Sequence, residues 1–291
     1  MDEKVIAAII AAVTSIITII ITSIFKPRIE KRLHRSRIEI DHELEQKKKI
    51  KEVLSKYKIH LISSADSLRG RLNNFAKNYT KKEHYVNGNY VDKENYYFQS
   101  MIYRILNFYA WMKVIDNNLI YLDTTIASEK DLNFIKYMRA MKRSLQRGKL
   151  VHGLQVDPET SNDLIYRDTL DEMCLWLIDN DSVIPYPEFK ARIEGNIDHY
   201  KRLCEFIDGV NPDENRRRWD RLYLLQLLIM SFINSYGYDF QFSSAAIFDK
   251  QIERAKKYDI FPNAIMMLER YKLEKEENVK RLIEKMNEYG S

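Results

Sequence analysis

The sequence predicts an all-α protein with a single N-terminal transmembrane helix, a helical stalk and a cytoplasmic multi-helix domain. Three observations carry that prediction. Glycine and proline are scarce, at 8 and 6 of 291 residues, and hairpins and sandwiches use both heavily. Apolar residues recur at steps of three and four in segment after segment, which is the helical period. Residues 5–25 hold no charged side chain, although charged residues make up 31% of the chain.

The uncharged stretch comes first. A helix over 5–25 is roughly 32 Å long, against a hydrocarbon core of about 30 Å. A cleaved signal peptide has a shorter apolar core and a small-residue cleavage site. Here an amphipathic chain follows directly, so a retained span over 1–26 is expected. Lys26, Arg28, Lys31, Arg32, Arg35 and Arg37 follow the span, opposed only by Glu30, whereas Asp2, Glu3 and Lys4 precede it. Lys and Arg stay on the cytoplasmic side, which predicts the N-terminus outside and the body inside. The same cluster suits anionic lipid head groups.

Within the span, Ala8, Ala11, Ser15, Thr18 and Thr22 fall at steps of three and four and line one stripe, with isoleucines on the other faces. Lipid gives helices no hydrophobic reason to associate, so close packing and interhelical hydrogen bonds must do it, and small residues permit both. The stripe therefore predicts a homo-oligomer, with a tetramer as one candidate form, whose seam could also line a narrow pore. The plainer alternative has each hydroxyl bonded to a carbonyl of its own preceding turn.

Residues 27–58 read as a basic helical stalk. Pro27 suits a first turn, Ile29, Leu33, Ile40 and Leu44 share a face, and Lys47, Lys48, Lys49 and Lys51 crowd its end. A core domain over 59–240 follows. Ile59, Ile62, Ala65, Leu68, Leu72 and Phe75 form one helical face, and Asn87-Gly88 is a candidate hairpin turn. The aromatic stretch 96–123 reads as a central helix, with further helices over 131–147, 161–178, 189–207 and 213–236 and a loop over 181–187. The run RLYLLQLLIMSFI in the last of these is too short and too flanked by charge for a second span. The C-terminal residues 241–291 offer helices over 245–258 and 262–289, the last with Val279, Leu282, Met286 and Tyr289 on one face.

Catalytic patterns are absent. His34, His42, His60, His84, His152 and His199 are scattered, and no zinc spacing, phosphate-binding loop or nucleophile elbow is found, so no catalytic residue, metal or cofactor is assigned and the protein is not expected to be an enzyme. Glu188-Phe189-Lys190 matches a fragment of metal-dependent nuclease motifs, with Asp181 as the upstream acid, but that chemistry needs strands. Cys174 and Cys204 sit in apolar helical patterns and read as buried free thiols.

Two basic constellations remain. KYMRAMKRSLQRGK, residues 136–149, has six basic residues and no acid, and Arg139, Arg143 and Arg147 repeat at i, i+4 and i+8. Like charges at that spacing repel, and an anion relieves the repulsion; guanidinium forks suit phosphate oxygens. NRRRWDRLY places Arg216, Arg217, Arg218 and Arg221 around Trp219, a combination that can hold phosphate while the indole stacks on a base. The alternative is that both runs are solvated faces neutralised by acids such as Asp213, Glu214 and Asp220, with Trp219 in the core. With a net charge of +5, the two runs together predict a nucleotide or single-stranded oligonucleotide ligand.

Leu61, Ala65, Leu68, Arg71, Leu72 and Asn74 set out an L-x3-A-x2-L-x2-RL-x-N pattern, and Tyr97, Ser100, Tyr109 and Trp111 follow in the aromatic helix. Over residues 57–123 this resembles an uncharacterised bacterial family of helical proteins, many with an N-terminal membrane anchor. The order of span, stalk and helical body is also similar to Hailong-type membrane effectors of anti-phage defence, channel formers gated by a nucleic-acid-type ligand. The resemblance implies the bacterial inner membrane, a neighbouring nucleotidyltransferase as ligand source, and an oligomer that depolarises the membrane; it assigns no residue a role. The competing expectations are a membrane-tethered adaptor and, less favoured, a membrane-anchored nuclease.

Overall fold

The computed structural model describes residues 2–92 and 94–290, with only the backbone of Ile24, Phe25, Pro27, Ser161 and Asn162. Helix accounts for 75% of the chain and strand for 1%, as the scarcity of glycine and proline predicts. The chain divides into two compact units, Met1–Ile50 and Lys51–Ser291.

The first unit is helical throughout. Helix α1, Glu3–Ile20, passes through a π-helical turn, Ile21–Phe25, into α2, Lys26–Asn78. No side chain of α1 is buried, and its isoleucines and valines stand exposed, so this helix is long and apolar enough to cross a membrane. In α2, Pro27 falls in the first turn, with its ring outside the described atoms. Ile29, Leu33, Ile40 and Leu44 are exposed. Lys47 pairs with Glu43 and Lys49 with Glu45, both at i, i+4.

In the second unit α2 shows no break near residue 58, because no glycine or proline interrupts the apolar face there. Ile62, Ala65, Leu68, Leu72 and Phe75 are buried as their spacing predicts, while Ile59 faces solvent. Two further helices organise the unit. Helix α3, Tyr96–Leu119, packs against α5 (Arg167–Leu175), α6 (Tyr186–Ile193) and α7 (Ile197–Ile207). Helix α8, Arg218–Tyr236, packs against α4 (Glu129–Gln146), α9 (Ala245–Glu253) and α11 (Glu277–Gly290), and α10 (Phe261–Arg270) packs on α11. Every residue of α8 except Asn234 and Ser235 is buried, which makes its apolar run a core helix and not a span. The helices over 241–291 thus share a core with the elements before them. Tyr137 on α4 ties three of these helices: its hydroxyl lies 2.9 Å from Ser231 Oγ on α8 and donates to Glu276 Oε2 at 2.5 Å, beside the start of α11.

Several elements are shorter than their apolar periodicity predicts. The stretch over 189–207 divides at Glu194, Gly195 and Asn196 into α6 and α7, and that over 262–289 divides at Lys272, which has φ +53°, with the Glu276 carboxylate accepting the Val279 N–H at 2.9 Å to start α11. Helix α8 starts at Arg218 because Asn211 Oδ1 accepts the Asp213 and Glu214 N–H groups in a turn, and Arg217 takes φ +83°. Asn87 and Gly88 form a left-handed turn, but no strands flank it. Instead the Asp208 carboxylate accepts the N–H groups of Val86, Asn87 and Gly88. Of the two short strands among the described residues only one lies in the predicted loop over 181–187: β1, Ile178–Asp179, starts at the last residue of the predicted helix and pairs antiparallel with β2, Ser182–Val183, across Asn180 and Asp181, both with positive φ. Glu188, Phe189 and Lys190 lie on helix α6, where Glu188 pairs with Arg192, so the strand context of the nuclease fragment is lacking. Cys174 and Cys204 are buried and free, and burial pushes the Cys174 thiol up to about 12.

Candidate functional site

The two basic runs meet opposite fates. In the second run Arg216, Arg217 and Arg218 are each held by a carboxylate from within the unit. Arg216 forks onto buried Asp163, Arg217 donates to Asp259 at 2.5 Å, and Arg218 donates to Glu214 at 2.6 Å. Arg218 Nη1 also donates to the carbonyls of Glu205, Phe206 and Asp208, so its charge closes the C-terminal end of α7. A cavity of about 390 Å³ beside Arg216 and Arg218 is lined by Arg202 as well, but also by Glu159, Asp163, Glu205 and Asp208, so acids outnumber arginines on its wall. Trp219 is only 2% exposed. Its Nε1 donates to the Arg254 carbonyl at 2.9 Å, and its ring packs on Phe75, Tyr79 and Tyr223. The indole offers no face to a base, and this corrects the expectation of a stacking platform there: the apolar residues following Trp219 turn α8 inward and take the indole with them.

Arg221 completes that run and serves the other one. It is fully buried, and its Nη1 donates to the carbonyls of Ser144 at 3.0 Å and Arg147 at 3.2 Å. A guanidinium thus satisfies carbonyls at the C-terminus of α4, where a positive charge is favoured. Burial pulls its pKa down to about 10.

The first run keeps most of its charge. Lys142 pairs with Asp116, and Lys136 donates to Asn133 Oδ1 and to the Lys272 carbonyl. Arg139 is exposed, Arg143 Nε donates to the Tyr271 hydroxyl at 3.3 Å, and Arg147 is half-buried. No carboxylate among the described residues pairs with Arg139, Arg143 or Arg147. Burial pulls the Arg147 guanidinium below its usual range, and the charges of Arg270 and Arg143 add to that effect. Arg270, at the end of α10, is itself without a carboxylate partner among the described residues. The face therefore gathers four arginines from two helices, with the phenol of Tyr271 among them. Arg270 and Tyr271 escape a reading by spacing because they lie over 120 residues downstream, and only the packing of α10 beside the end of α4 brings them in. Arg139, Arg143 and Arg147 spread over about 12 Å of helix, more than one phosphate can span.

In α1 and the π-helical turn after it, the stripe hydroxyls are each bonded to their own helix. Ser15 Oγ donates to the Ala11 carbonyl at 2.9 Å, Thr18 Oγ1 to Thr14 at 2.8 Å and Thr22 Oγ1 to Thr18 at 2.7 Å. Ala8 and Ala11 are exposed on the same helix. Among the described residues no three His, Cys, Asp or Glu side chains converge on a metal-sized site.

No protein-family profile, curated protein or solved structure matches the chain.

Proposed function

We propose that this chain is a membrane effector that binds a phosphate-bearing ligand of the nucleotide or oligonucleotide class and answers by changing ion flow through an oligomer of its spans. The observation that carries the reading is the face of Arg139, Arg143, Arg147 and Arg270, which has no carboxylate counter-charge among the described residues. Four arginines held together without acids repel one another, and that repulsion is relieved when an anion binds. A spread of about 12 Å along α4 favours several linked phosphates over one, and Tyr271 supplies the aromatic surface that Trp219 does not. The basic residues after the span favour an inner-membrane protein with its body in the cytoplasm, where a neighbouring nucleotidyltransferase would make such a ligand. The stripe of Ala8, Ala11, Ser15, Thr18 and Thr22 is the seam through which copies would assemble. A ligand shifts such an assembly only by binding its conducting and closed forms unequally. Planar-bilayer recordings on the full chain, with a short single-stranded oligothymidylate as probe, test this. A current that changes on adding the probe, and fails to change in the Arg139→Gln/Arg143→Gln/Arg147→Gln variant, is expected. A folded, reconstituted oligomer that conducts nothing with or without the probe contradicts it.

One observation favours a second reading, a tethered adaptor without conductance. The hydroxyls of Ser15, Thr18 and Thr22 already bond their own backbone, so they make no demand for a partner helix or for water. Replacing all three by leucine separates the readings: a conducting seam loses its current, whereas an adaptor keeps its function.

A further inference from the structure

A second, deeper cationic site lies between α2 and α3, away from the arginine face. Arg71 and Asn74 from α2, Tyr97 and Arg104 from α3, and Lys81 and Glu83 from the connection line a cavity of about 420 Å³, within the range of small-ligand sites. Gly70 forms part of the wall, and a side chain added there would meet nothing within 4 Å.

The charges in this cavity do not balance. Arg71 is 8% exposed, and no carboxylate among the described residues pairs with it. Its Nη2 donates to Ser100 Oγ at 2.6 Å, its guanidinium stacks 4.8 Å from the Tyr97 ring, and its buried Nε has no partner. Arg104 likewise lacks a carboxylate partner among the described residues; it donates to the Ser67 carbonyl at 3.3 Å and interacts with the Tyr96 phenol. Burial lowers the Arg104 pKa, and the charge of Arg71 lowers it further, so the two guanidinium groups share one field. Lys81 adds a third cation, and Glu83 is the one carboxylate in the lining. A buried guanidinium with an unused N–H is costly to keep unless an anion comes to it. The remaining lining is polar, with the Tyr97 hydroxyl donating to Asn74 Oδ1 at 3.2 Å. Residues that stand in two separate stretches of the sequence thus meet in pairs, Arg71 with Ser100 and Asn74 with Tyr97.

We propose that this cavity binds the phosphoryl group of a small soluble phosphorylated molecule, with Arg71 and Arg104 forking its oxygens and Tyr97 walling the group that carries it. The planar guanidinium matches phosphate oxygens in pairs, and two of them with Lys81 suit a doubly charged phosphoryl better than a carboxylate. The site is independent of the face on α4, which is open and extended and suits several phosphates.

Calorimetric titration of inorganic pyrophosphate into the full-length chain in detergent, at matched ionic strength, tests the proposal. One saturable site is expected on the wild-type chain, weakened at least tenfold by Arg104→Gln and weakened by Lys81→Gln. Lys81 is exposed and Arg104 half-buried, so neither substitution removes a core side chain. Glu83→Gln is expected to tighten binding, which a purely structural role for these residues does not predict. Arg143→Gln on the other face is expected to leave the titration unchanged. No saturable binding to a folded chain, or binding that Arg104→Gln leaves intact, would overturn the proposal. Binding lost in Arg143→Gln instead would overturn it too, while leaving the proposed function standing.

Discussion

The runs over 136–149 and 216–221 look alike in sequence and differ in the folded chain. Both are dense in arginine, and they sit at the ends of two helices, α4 and α8, that pack on each other. In the second run, Asp163, Glu214 and Asp259 arrive to pair with Arg216, Arg218 and Arg217. In the first, no acid among the described residues pairs with Arg139, Arg143 or Arg147, and a fourth arginine, Arg270, comes instead. The charge of a basic run is neutralised or left open according to what other elements bring to it. Internal carboxylates turn charge into stability, and their absence leaves it available to a ligand.

This contrast can be broken at several points, beginning with the largest effect. Arg218→Ala strips Glu214 of its buried partner and leaves three carbonyls without a donor. A loss of about 3–5 kcal/mol is expected, read by chemical denaturation of the full chain. A loss under about 1 kcal/mol would mean that the second run is not the structural one. Next is Arg221→Met, which keeps the volume but orphans the carbonyls of Ser144 and Arg147. It is expected to cost about 1–3 kcal/mol, and to weaken ligand binding as well by loosening the end of α4. An unaltered binding curve would separate the two runs completely.

Asp220 supplies a pH test. Burial raises its carboxyl to about 7, and nearby Arg217 offsets this only in part. A carboxyl whose pKa is raised in the fold favours folding below its unfolded pKa, near 4, and loses that contribution as pH rises to about 7. The melting temperature should therefore contain a component that falls between pH 4 and pH 7. Asp220→Asn should remove that component and melt a few degrees above wild type at pH 8. A pH profile identical to wild type would contradict the assignment. The smallest effect belongs to the first run. The Arg139→Gln/Arg143→Gln/Arg147→Gln variant should stay within about 0.5 kcal/mol of wild type per site, or gain slightly from lost repulsion, when followed by the same denaturation.

The helical class was legible because periodicity and the scarcity of glycine and proline are local properties. So was the apolar first helix, and the burial of Ile62, Ala65, Leu68, Leu72 and Phe75. Element ends were less legible: the breaks at Gly195 and Lys272 depend on turn chemistry that a continuous apolar pattern hides. The site was legible in part. Arg139, Arg143 and Arg147 could be placed on one face by spacing alone, but Arg270 and Tyr271 could not, since tertiary packing brings them there. The sequence leaves Trp219 open between a stacking platform and the core, because its arginine neighbours point one way and the apolar residues after it the other; the folded chain buries it. Arg71 drew attention only through a motif, and nothing in that motif foretold a guanidinium short of partners in a cavity.

The face on α4 is proposed as a ligand face because its charge has no carboxylate partner among the described residues. Fluorescence anisotropy of a labelled single-stranded oligothymidylate against the full-length chain in detergent, repeated across a salt series, tests it most directly. Saturable binding is expected, with an affinity that falls as salt rises and a salt slope reduced by about 0.7 for each phosphate contact removed among Arg139, Arg143 and Arg147. Binding that survives the triple Arg→Gln substitution with the same affinity and the same salt slope would contradict the account.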